Sequence, residues 1–91
     1  MAKIHELKTW PSYFNEVKTG RKTFEVRQND RNFESGDVLV LREYDPRTQE
    51  YTGRELAFEA GYILHGDQFG IEAGHVVIAL IPSKEAAEAY T

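Results

Sequence analysis

Polar and apolar positions alternate from Lys3 to Lys8, with Ile4 and Glu6 on one side and His5 and Leu7 on the other. That period of two predicts a first strand. Trp10-Pro11-Ser12 breaks the alternation. Proline is tolerated in the first helical turn and pushes the residue before it into an extended conformation. Tyr13, Phe14 and Val17 then form one apolar stripe at i, i+1 and i+4, which predicts a short helix over 11–19, with Lys18 near its carbonyl end and Gly20 as the terminating residue. Alternation returns over Thr23 to Gln28; the pattern puts Phe24 and Val26 on the packed face and Thr23, Glu25 and Arg27 on the other. After the polar loop 29–32, Val38 to Tyr44 is the clearest strand. Asp45 to Glu50 reads as a hairpin turn, and the return strand runs to Ala60, bends or bulges at Gly61 and resumes at Tyr62-Ile63-Leu64. A glycine-containing loop over 65–74 leads to a last strand over 75–81. Residues 83–89 form a short, capped, alanine-rich helical tail whose packing face is weak.

A sheet of five or six short strands must close or be covered to hide its edges. The expected fold is therefore α+β: a small mixed β-barrel with one short helix packed at its end, filling 1–91 as a single domain.

Composition narrows the chemistry. With no cysteine, a disulfide scaffold, a thiolate zinc site and a cysteine nucleophile are excluded. His65 and His75 stand ten apart across a loop, without H-x-x-x-H or H-E-x-x-H spacing, so neither a metal nor another cofactor is expected. The start reaches charge at Lys3 with no apolar stretch typical of a secretion signal, and Val76 to Pro82 is too short to span a bilayer; the expected setting is the cytoplasm. The net charge of −4 argues at face value against a polyanionic partner. Its distribution argues the other way: residues 1–31 hold seven Lys/Arg and four Asp/Glu, residues 32–91 four and eleven. Such a split can mark one basic face on an acidic domain.

Two stretches carry a family likeness. Gly20-Arg21-Lys22-Thr23-Phe24-Glu25-Val26-Arg27 is a G-x-K-x-x-E-x-R string at a helix-to-strand junction, and Phe33-Glu34-Ser35-Gly36-Asp37-Val38-Leu39 leads into the strongest strand. Together with His5-Glu6-Leu7-Lys8, Pro11, Tyr13-Phe14 and Leu41 to Asp45, these segments resemble the ASCH family of PUA-like barrels, in particular a small bacterial and phage branch. The resemblance implies a PUA-like barrel, a cleft beside the motif and binding of RNA; some members are nucleases or amidohydrolases of acetylated cytidine. In the amidohydrolase branch a threonine nucleophile lies three residues after the lysine. Glu25 stands there in this chain, and a carboxylate does not replace an activated hydroxyl in the same geometry.

Glu25 and Arg27 share one strand face, and Lys22 sits just before it. Cations donate to phosphate or carbonyl oxygens, and a glutamate accepts from an exocyclic amine, so Lys22, Glu25 and Arg27 suit recognition of a nucleotide. The same residues equally describe a structural ion pair. Lys8 and His5, on the first strand, are expected beside the motif, His5 as a potential base. Trp10 could stack a base or cover the helix end, and Tyr13, Phe14, Phe24, Phe33 and Phe58 are expected in the core. Arg42, Glu43, Arg47 and Glu50 are expected to form a solvated hairpin. Three functional readings follow: a module binding RNA, DNA or a nucleotide; an enzyme on RNA or a modified nucleoside using Lys22 and Glu25; or an accessory domain that binds protein.

Overall fold

In the computed structural model, which describes residues 2–90, the chain runs β1 (Ile4–Thr9), α1 (Pro11–Lys18), β2 (Phe24–Gln28), β3 (Val38–Asp45), β4 (Glu50–His65), β5 (His75–Pro82) and α2 (Lys84–Tyr90). Met1 and Thr91, the ends of the expected 1–91 domain, lie outside the described residues. The five strands form one sheet in the order β1-β3-β4-β5-β2. β1 lies parallel to β3, and all other pairs are antiparallel. No helix among the described residues is long and apolar enough to cross a membrane.

The sheet curls into a half-barrel because its two edges, β1 and β2, turn towards each other. They are joined by side chains instead of a backbone ladder. Arg27 Nη2 donates to the Lys8 carbonyl (2.9 Å) and Arg31 Nη1 to the Glu6 carbonyl (2.6 Å). The strand edge leaves these carbonyls without a ladder partner, and the two guanidinium groups supply one.

Leu7, Leu39, Leu41, Val76, Ile78 and Leu80 fill the concave side, with Val17 of α1 and Phe33 packed among them. The break at Gly61 is a bulge within one continuous β4: Ala60 pairs with Leu80 and Ile63 with Ile78, so two residues of β4 oppose one of β5.

Three expectations are corrected. The alanine-rich tail, α2, is a second packed helix. Ala86 is buried against Val38, Val40 and Ala57 on the outer face of the sheet, and its N–H donates to Ser83 Oγ at the helix start (3.1 Å). A side chain as small as alanine lets the helix approach the strands closely enough to cover them. Next, β2 is inside out relative to its apolar pattern: Phe24 and Val26 are 43% and 51% exposed, and Glu25 is 4% exposed. Glu25 and Arg27 pair with Ile78 and Val76, whose side chains are buried in the concave core, and this register turns the charged face inward. Finally, Glu43 is not on a solvated hairpin. It is buried where β3 and β4 slip register, accepting from Thr52 Oγ1 (2.7 Å) and pairing with Arg54 Nε (3.4 Å). Arg54 also donates to the Asn15 side chain (3.0 Å) and lies over the Phe14 ring, tying α1 to the hairpin.

Candidate functional site

The end of α1 sets the position of the first motif residue. Gly20 has φ +83°, a left-handed conformation that glycine enters without the Cβ penalty. The turn it makes brings the Arg21 and Lys22 N–H groups back onto the Glu16 carbonyl (3.0 and 2.9 Å). Lys22 is thereby held one residue before the Thr23 carbonyl engages β5 through Leu80 N–H (2.9 Å).

From there two side chains converge on Glu25. Lys22 Nζ donates to Oε1 (2.8 Å) and also to the Phe24 carbonyl (2.7 Å); Arg27 Nε donates to Oε2 (3.0 Å). A carboxylate so deeply buried is costly unless both oxygens are paired, and here each has a cation. Arg27 then reaches on to the Lys8 carbonyl across the seam. The Glu25 cluster is thus part of the joint between β1 and β2.

Above this joint lies an open cavity of about 550 Å³, lined by Lys8, Thr9, Trp10, Tyr13, Lys22, Glu25, Val26 and Arg27. Three cations face one carboxylate there, although the whole chain is acidic. Lys8 forms no ion pair among the described residues and rests its ammonium 4.2 Å from the Tyr44 ring centroid. Trp10 precedes α1 in an extended conformation and is 52% exposed at the mouth, and Tyr13, one turn into α1, is 56% exposed beside it.

Five of the six site residues expected from sequence, Lys8, Trp10, Lys22, Glu25 and Arg27, line this one cavity. His5 does not. It is buried in the half-barrel, its Nε2 2.8 Å from Asp37 Oδ2 and its ring against Phe33. Burial pushes the Asp37 carboxyl up, but the hydrogen bond from His5, those from the Lys3 and Glu34 N–H groups and the nearby His5 charge outweigh it and leave Asp37 below its ordinary value of 3.8. The G-D pair of the second motif therefore organises the β1–β3 start. Sequence reading missed Thr9, Tyr13 and Val26 as cavity residues. Thr9 continues the inward phase of His5 and Leu7, a signal present in the alternation. The apolar stripe that Tyr13 shares with Phe14 and Val17 points it into the core, but only those two are buried.

The sequence model of a family described as a domain of unknown function, DUF3850, matches residues 4–80 and so takes in every residue that lines the cavity. The chain belongs to the DUF3850 family. It is also 46% identical over 56 residues to an Escherichia phage P2 protein described as an uncharacterised 12.9 kDa protein in the GpA 3′ region, an alignment covering 62% of this chain and 50% of that protein. The alignment thus spans about half the length of this curated relative. The DUF3850 match closes at Leu80, near the end of β5, and α2 lies beyond it. The cavity and its arginine-bridged seam belong to the DUF3850 unit itself.

Proposed function

We propose that this DUF3850 domain is a cytoplasmic nucleotide-binding module that holds single-stranded RNA in the cleft between β1 and β2, on a half-barrel of the PUA-like kind found in ASCH domains. The observation that carries the reading is the convergence of Lys8, Lys22 and Arg27 with Trp10 and Tyr13 on one opening. Cations beside exposed aromatic rings are the combination that grips a phosphate and stacks the attached base. Unpaired RNA presents base faces for that stacking. In this reading Lys8 and Lys22 take the phosphate, Trp10 stacks the base, and Arg27 and Glu25 address its edge. Glu25 acts there chiefly through Lys22 and Arg27, which its two oxygens hold at the cavity wall.

Trp10 is the only tryptophan in the chain, which makes its fluorescence a direct reporter. Short RNA oligomers are expected to quench it, more weakly at about 200 mM than at about 50 mM salt as counterions compete for the phosphates. Lys8→Ala is expected to lower affinity several-fold with only a small fall in the thermal midpoint, because Lys8 is exposed and its removal breaks no ion pair, only one cation–π contact, to Tyr44. Absence of quenching and of measurable binding at the lower salt, for RNA and DNA alike, would refute the proposal.

A further inference from the structure

A second cavity, about 270 Å³, opens on the same seam. It shares Val26 and Arg27 with the first and continues to Gln28, Asp30, Arg31 and His75. Two residues there have hydrogen-bonding capacity that the fold leaves unused. Arg31 spends one Nη1 hydrogen bond on the Glu6 carbonyl and forms no ion pair among the described residues. Its planar fork has further N–H donors, in the geometry that suits phosphate. His75 Nδ1 is buried and has no hydrogen-bond partner. A buried polar atom without a partner is costly, and it belongs to a residue that lines this cavity. Arg31, which has no carboxylate partner among the described residues, makes the fitting ligand group an anion, whereas Arg27 is already paired with Glu25.

We infer that the second cavity is a phosphate subsite, taking the phosphodiester next to the nucleotide held in the first cavity, so that the ligand is a strand of at least two nucleotides. The inference rests on the nucleotide-binding reading of the first cavity. Arg31 and His75 Nδ1–H donate to the phosphate oxygens, and Arg27, standing between the cavities, touches both halves of the ligand. From Glu25 to Gln28 the strand advances about 10 Å, so the two cavities follow one another along β2.

The test compares uridine 5′-monophosphate with the 5′-phosphorylated dinucleotide pUpU by titration calorimetry, alongside the ring-proton NMR resonances of His75. The dinucleotide is expected to bind about tenfold to a hundredfold more tightly, the contribution of a charge-assisted contact, and to shift the His75 resonances, which the mononucleotide leaves in place. Arg31→Gln, which keeps an amide donor for the Glu6 carbonyl, and His75→Phe, which keeps a ring of similar shape, should each erase most of the dinucleotide advantage and leave mononucleotide affinity unchanged. Equal affinity of the wild-type protein for the two ligands, or unmoved His75 resonances in the dinucleotide complex, overturns this inference alone. Binding of neither ligand overturns the parent reading together with it.

Discussion

Replacing Arg27 with alanine removes two bonds at once: Nε to Glu25 Oε2 (3.0 Å) and Nη2 to the Lys8 carbonyl across the seam (2.9 Å). The Glu25 side chain is only 5% exposed, so the oxygen that loses Arg27 gains little water. Breaking a fully buried pair costs about 3–5 kcal/mol. The loss here is smaller, because Lys22 still neutralises the other oxygen and the Arg27 side chain is 26% exposed. Loss of one charge-assisted bond sets the scale at about 1.5–3 kcal/mol, which in a domain of this size lowers the thermal midpoint by about 6–24 °C. Phe24 and Val26 cannot offset it, being exposed on the outer face of β2. The measurement is thermal unfolding of wild type, Arg27→Ala, Glu25→Gln and the double variant. Because both singles disrupt one contact, the double should fall short of their sum by about 1 kcal/mol or more. Arg27→Lys, which keeps the charge but not the two-pronged reach, should recover part of the loss. A midpoint for Arg27→Ala within about 2 °C of wild type, or strict additivity in the cycle, would refute the claim that this side chain holds the seam.

Asp37 carries a pH signature. Its folded pKa is depressed below the ordinary 3.8, so the stability it contributes is complete above that value and is lost as pH falls through the folded value. Asp37→Asn should be less stable than wild type near neutrality and show a flatter decline of thermal midpoint below about pH 4; parallel curves for the two proteins would contradict the assignment. Gly66 tests the turn that leads into the loop before β5. A Cβ there would collide with the Glu72 carbonyl oxygen and lie 2.9 Å from that of His75, both backbone atoms that cannot swing aside. Gly66→Ala should therefore cost about 2 kcal/mol or more, with faster amide exchange at Gly66 and His75 as the local readout; an unchanged denaturation midpoint would count against it.

Much of the site was legible because its residues are close in sequence and the local rules are strong. Pro11 starting α1 and Gly20 ending it put Lys22 at the mouth of β2, and the period of two then puts Glu25 and Arg27 on one face. The docking of α2 also leaves a trace in the sequence. Val38, Leu39, Val40 and Leu41 do not alternate, and all four are buried, as expected for a strand covered on both faces. Something had to cover the outer side, and Ala86 does.

What the local pattern could not carry is which face of β2 looks inward. Alternation separates Phe24 and Val26 from Glu25 and Arg27, but either set satisfies a period of two, and the more apolar set is the natural candidate for burial. Pairing with Ile78 and Val76 decided the matter, because those positions belong to the concave core and carry Glu25 and Arg27 in with them. His5 shows the same limit: its partner Asp37 is 32 residues away, joined to it only because β1 lies parallel to β3. Strand boundaries, helix ends and the Gly61 bulge depend on neighbours within a few residues, so the sequence by itself determined them. Strand order, the curl that brings Arg27 and Arg31 to the edge of β1, and the two cavities along that seam depend on contacts between distant segments, and only the tertiary structure decided them.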